Sequence, residues 1–145
     1  MKPLFLAYHV EHDPETRTWA ATGKDRRGRI FGVGAGGSQE AAVQALKEAV
    51  WDSLAADAAD GVDWTGTLRQ RTPKGEHLAF EGSDLLPIRL RLIRAQQSLK
   101  QADLAKRMSV TQQAYAKLER PGANPTLQTI ADLESALGQE LMAWA

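Results

Sequence analysis

In the stretch SVTQQAYAKLER, residues 109–120, Gln112 and Gln113 stand side by side just after Thr111, at what reads as the start of a helix. Both side chains are long, neutral and rich in hydrogen-bond donors and acceptors. Neither helps build a core. Around them, residues 88–120 hold eight bases (Arg89, Arg91, Arg94, Lys100, Lys106, Arg107, Lys117 and Arg120) against two acids, Asp103 and Glu119. That local net of +6 attracts an anionic polymer, whereas the whole chain, with 18 Lys+Arg and 18 Asp+Glu, does not predict it. The imbalance is regional: residues 1–82 carry 10 bases and 12 acids, and residues 83–145 carry 8 and 6. A solvated helix surface would carry the same charges, so charge alone does not decide.

Other chemistry-bearing residues are less coherent. Glu11, Asp13 and Glu15 fall on a turn, and Asp52, Asp57, Asp60 and Asp63 near a helix end. A two-metal nuclease needs carboxylates that hold ions about 3.5–4 Å apart, and a solvated turn with an acidic helix exit explains these residues more simply. His9 and His12 differ by three in a strand and so face opposite ways, which makes a poor metal pair. Gly32-Val33-Gly34-Ala35-Gly36-Gly37 satisfies G-x-G-x-x-G, but a dinucleotide site also needs a βαβ unit and an acid about 20 residues on at a strand end, and Asp57, at roughly that spacing, sits in an acidic, alanine-rich helix exit. We read these glycines as permitting a tight strand-to-helix turn. No metal, cofactor or catalytic residue is therefore expected, and the protein reads as non-enzymatic. The absence of cysteine removes disulfides, thiolate zinc sites and thiol nucleophiles. No apolar run nears the roughly 20 residues of a membrane span, and polar residues follow the short apolar patch of MKPLFLAYHVEHDPE where a cleavage site should be. The expectation is a cytoplasmic protein.

The elements that position these residues divide the chain in two. Leu4, Leu6, Tyr8 and Val10 alternate onto one face of a first strand. Asp13-Pro14-Glu15-Thr16 supplies turn chemistry, and Thr18–Thr22 returns as a hairpin partner. Arg29–Val33 follows as a third strand after the loop GKDRRGR. Ser38 caps a helix to about residue 57, with Val43, Leu46, Val50 and Leu54 on the face toward the sheet. Gly61 ends that helix. Residues 63–70 or 77–80 could each make a fourth strand, and the pattern does not choose. Gly and Pro around 72–75 and the EGSD stretch at 81–84 read as a flexible join. From Pro87, placed in a first helical turn, the pattern predicts helices at about 86–97, 101–108, 111–119 and 126–137, with a tail over 141–145. The fold class is thus α+β: a small antiparallel sheet packed by one helix in residues 1–82, and an all-α domain in 83–145.

Within Gln101–Arg120, Ala105 supplies the small residue that two steeply crossing helices need, and Leu104, Met108, Val110, Tyr115 and Leu118 the inner apolar positions. Thr111 is a good N-cap, and Val110 and Tyr115 have the spacing of a hydrophobic staple. On these residues, Ile88–Leu141 resembles a lambda-repressor-like, Xre-type helix-turn-helix domain. The resemblance implies that Gln112, Gln113 and Lys117 read base edges in the major groove. It also implies that Lys100, Gln101 and Thr111 hold phosphate, and that Arg94 and Glu119 form a partly buried ion pair. Ser109 stands where relatives hold a glycine with positive φ, and Lys100 where they hold a capping threonine or serine. DNA binding by a monomer is therefore expected to be modest and to be strengthened by dimerisation.

The first domain is similar to the HicB-type antitoxins, on WAAT in the second strand, GAGGSQEAAVQALKEAV at the helix entry, and the element order. That resemblance implies a partial ribonuclease-H-like fold, binding of a small HicA-like, mRNA-cleaving toxin, repression of the protein's own operon, and a homodimer or higher oligomer. The toxin-contacting residues stay unassigned. The rival expectation is a stand-alone repressor whose first domain senses a ligand or only oligomerises.

Overall fold

The computed structural model describes residues 2–141, so residues 142–145 of the expected tail lie outside it. The chain forms two compact units, one of Pro3–Leu54 with Trp64–Phe80, the other of Ala55–Asp63 with the chain from Glu81 onward.

The first unit is a four-stranded antiparallel sheet in the order β3-β2-β1-β4, formed by β1 (Leu4–Asp13), β2 (Thr18–Lys24), β3 (Ile30–Gly36) and β4 (His77–Phe80). Asp13 Oδ1 accepts from the Glu15 N–H at 2.9 Å and organises the β1–β2 turn, and Arg17 closes it in the left-handed region at φ 56°. Of the two candidate fourth strands, 77–80 pairs with β1, Leu4 opposite Phe80 and Leu6 opposite Leu78. Residues 63–70 instead run through turns and touch the sheet at one bridge, where Phe5 and Arg69 exchange both backbone hydrogen bonds at 2.8 Å.

The helix α1 (Gln39–Ala59) starts where Ser38 Oγ accepts from the Ala41 N–H at 3.1 Å. Leu46, Val50 and Leu54 are fully buried, as is Ala42, while Val43 is only half-buried. The glycines expected to make a turn lie within β3, where they let the helix come close. A Cβ on Gly34 would overlap Leu46 N and Ala42 O, and one on Gly36 would come within 2.7 Å of Ala41 Cβ. No side chain fits between strand and helix there, so the G-x-G-x-x-G spacing is a packing pattern. On the other face of the sheet, the alternate set Phe5, Ala7, His9, Glu11, Ala20, Thr22, Lys24, Val33 and Ala35 contains no buried residue.

The second unit is all-α after the end of α1: α2 (Gly82–Gln96), α3 (Gln101–Arg107), α4 (Gln112–Ala116), a 3₁₀ turn (Lys117–Glu119) and α5 (Leu127–Leu137). EGSD is no loose join but the start of α2. Asp84 Oδ2 accepts from the Glu81 N–H at 2.8 Å, which satisfies an amide at the entry of the helix. Pro87 consequently sits inside α2 rather than in its first turn. Leu86, Leu90 and Ile93 of α2, Leu104 and Ala105 of α3, Tyr115 of α4, and Leu133 and Leu137 of α5 form one core with Leu141. Thr126 caps α5, and Gly138 ends it at φ 70°.

Candidate DNA interface

The turn between α3 and α4 is built by local chemistry. Ser109 adopts φ 57°, a left-handed conformation that reverses the chain in two residues, and the Val110 N–H reaches Ala105 O at 3.0 Å. Thr111 then caps α4, its Oγ1 accepting from the Ala114 N–H at 3.0 Å. Gln112 and Gln113 occupy the first two helical positions and are exposed; Lys117, one turn on, is exposed too. The α-helix is shorter than the expected 111–119, because its last turn tightens to 3₁₀ at Lys117–Glu119. Val110, predicted on the inner side, is 40% exposed, whereas Tyr115 is buried in the core. Tyr115 is thus the residue by which α4 enters the core.

What fixes α4 from behind is Glu119, 2% exposed. Arg94 of α2 grips it with a bidentate pair, Nε to Oε1 at 2.7 Å and Nη2 to Oε2 at 3.0 Å. Tyr115 Oη donates to Oε1 at 2.8 Å and Gln101 Nε2 to Oε2 at 2.9 Å. Arg91 holds the backbone carbonyl of the same residue, Nη2 to O at 2.8 Å. Burial alone pushes the Glu119 carboxyl up, but the hydrogen bonds from Arg94, Gln101 and Tyr115 outweigh it and hold the group below its ordinary value. Burial, and then the Glu119 charge, push the Tyr115 hydroxyl far up, so it stays a neutral donor.

Sequence reasoning does not place Gln101 and Arg91 in this cluster. Arg91 precedes Arg94 by three residues on α2 and so shares its face, a signal that the spacing does carry. For Gln101, expected at phosphate, nothing local announces the bond to a residue 18 positions away. Lys100, also expected at phosphate, is exposed at the N-cap of α3, where its N–H is satisfied by Asp103 Oδ2 at 2.8 Å.

The positive charge of 88–120 divides into two groups. Arg89, Arg91, Arg94 and Arg107 donate to protein oxygens; Arg107 Nη1 and Gln97 Nε2 reach the last carbonyls of α5, Ala136 O at 3.0 Å and Leu137 O at 2.8 Å. Lys100, Lys106, Lys117 and Arg120 are exposed. The second group, together with Arg107, which is exposed as well, is available to a polyanion.

In the first unit, Glu11 and Asp13 lie in β1 and Glu15 in the turn after it, all exposed. His9 Nε2 sits 3.3 Å from Glu11 Oε1, while the His12 ring packs on Trp19 with centroids 4.6 Å apart. Among the described residues, no three His, Asp or Glu side chains converge in a way that could hold a metal ion. No helix among them is long and apolar enough to cross a membrane.

Residues 90–143 match the helix-turn-helix family model. A comparison with curated proteins finds no match. The chain therefore carries a C-terminal DNA-binding helix-turn-helix domain fused to a second small α+β domain.

Proposed function

We propose that this protein is an antitoxin of the HicB type, a non-enzymatic cytoplasmic protein that neutralises a small HicA-like, mRNA-cleaving toxin and represses its own operon as a homodimer or higher oligomer. The observation that carries the reading is a helix-turn-helix domain joined to a β-β-β-α-β unit whose sheet is covered by a helix on one face only. The domain boundaries we propose are 1–82 for toxin binding and 83–145 for DNA. The sheet face opposite the helix carries Phe5, Ala7, Ala20, Thr22, Val33 and Ala35 together with His9, Glu11 and Lys24, a mixed apolar and charged surface that a folded partner could cover.

In the DNA complex, α4 lies in the major groove. Gln112 and Gln113 present their carboxamides to adenine N6 and N7, and Lys117 reaches guanine O6/N7 or a phosphate. Lys100, Gln101 and Thr111 lie against phosphate and set the register. Gln112→Ala removes one bidentate interaction and should relax preference at one base pair by about 1–3 kcal/mol. A randomised-site selection measures this directly, and an unchanged preference would remove Gln112 from the reading set. The antitoxin half is tested by capturing tagged full-length protein from host lysate. A small co-purifying protein whose RNA cleavage stops when the chain is added back supports it. The absence of any such nuclease refutes it.

A second reading, a stand-alone repressor whose first domain senses a ligand or only oligomerises, is favoured by one observation: an arginine-lined cleft in the first unit.

A further inference from the structure

Two basic segments far apart in sequence meet at one end of the first unit. The first, Lys24–Arg29, is the end of β2 and its connection to β3; the second runs from Thr67 to Lys74. The Arg26 N–H donates to Thr67 O at 2.9 Å, and Arg69 Nη2 reaches Asp25 O at 3.4 Å. Arg69 is fixed further by its paired backbone bonds to Phe5. Between the segments lies a cleft of about 560 Å³ lined by Arg26, Arg69, Gln70, Arg71, Thr72 and Pro73.

Three features of this cleft point to an anion. Its lining holds three guanidinium groups and no carboxylate. Asp25, the neighbour of Arg26, is committed elsewhere: Oδ1 accepts from the Arg27 and Arg29 N–H groups at 2.8 and 2.9 Å, and Oδ2 accepts from Arg29 Nε at 3.0 Å. Arg69 Nε has no hydrogen-bond partner among the described residues, and its Nη2 meets a backbone carbonyl and not a carboxylate. Because backbone bonds hold both walls, the arginines are brought together before any ligand arrives, which lowers the ordering cost of binding. Planar guanidinium forks match tetrahedral oxyanions, and Gln70 and Thr72 add neutral donors at the rim.

We propose that the cleft between Arg26 and Arg71 is a phosphate-binding site, separate from the helix-turn-helix, that takes either a backbone phosphate of single-stranded nucleic acid or a small phosphorylated ligand. The chemistry recognised is the same for both, and size distinguishes them.

The test uses the full chain with two probes, inorganic pyrophosphate by calorimetry and a fluorescent oligothymidylate by anisotropy. Single-stranded DNA avoids the major-groove reader. The variant is Arg26→Gln/Arg71→Gln; both residues are exposed, so its melting curve should overlay the wild type. The expected result is binding of at least one probe by the wild type, weakened about tenfold or more in the variant. For the oligonucleotide, the slope of log K against log salt should fall by about 0.7 for each phosphate that the variant no longer neutralises. Binding of pyrophosphate alone identifies a small ligand, and binding of the oligonucleotide identifies the polymer. If neither probe binds the wild type, or the variant binds both equally well, the proposal is overturned and the arginines face an acidic protein surface instead.

Discussion

Glu119→Ala removes the acceptor of four hydrogen bonds at once: two from Arg94, one from Tyr115 and one from Gln101. Arg94 keeps its bond to Leu99 O at 3.1 Å, but its charge is left in a largely buried position with no counter-ion. Breaking one side of a buried pair costs about 3–5 kcal/mol. That is a large part of the roughly 5–15 kcal/mol by which small domains are stable. With an m-value of about 2 kcal/mol per molar, a loss of about 4 kcal/mol lowers the urea midpoint by about 2 M. Far-UV circular dichroism measures the transition, and hydrogen exchange over α2–α5 assigns it to the second unit. Arg94→Met/Glu119→Leu removes both charges, so it should lie well above Glu119→Ala in stability although it changes more atoms. Acid gives an independent check. The folded-state pKa of Glu119 is depressed, so its stabilisation is present above its ordinary value near 4.5 and is lost as the pH falls through the folded value. The second unit should thus lose stability in acid below about pH 4.5, and Glu119→Ala should show a shallower loss there. A midpoint equal to wild type for Glu119→Ala, or a double variant less stable than the single, would refute the argument.

Two further substitutions probe backbone geometry. Ser109→Gly relieves a left-handed conformation that costs an L-residue about 1–2 kcal/mol, partly offset by glycine's larger entropy loss. A net gain of about 0.5–1 kcal/mol in urea stability is expected, and a lower midpoint would count against it. Gly34→Ala forces a methyl group into the backbone of α1 at Ala42 and Leu46. It should cost the first unit about 1–3 kcal/mol, seen as faster hydrogen exchange over β3 and α1 with α2–α5 unchanged; unaltered protection of β3 would contradict the packing account.

The helix-turn-helix is legible in the sequence because its determinants are local. Thr111 caps α4 through the amide three residues on, Ser109 marks the reversal, and Leu104 with Met108 before it and Tyr115 with Leu118 after it have helical spacing on the inner sides of the two helices. Spacing misplaces Val110 because it does not tell how far a short turn swings a side chain outward. Legibility fails wherever distant segments decide. The fourth strand is selected by pairing with β1 more than 70 residues away, since four apolar-leaning residues at 77–80 carry too little pattern of their own. EGSD reads as a loop by composition, yet Asp84 three residues after Glu81 is a capping arrangement that outweighs Gly82 and Ser83. The arginine cleft is hidden for the same reason as the fourth strand. The first domain's slight acidic excess averages over residues 24–29 and 69–74, which the fold brings together.

The residues that hold α4 and those that face outward from it are different residues. Thr111 secures one end, Tyr115 and Glu119 the other, while Gln112, Gln113 and Lys117 project from between them. If those three residues read the operator, as proposed, substituting them changes the recognised sequence without first having to be tolerated by the core. On that reading a lineage built on this scaffold could change its operator by single steps at exposed positions, and two copies of such a gene in one genome could diverge in target while keeping the same core.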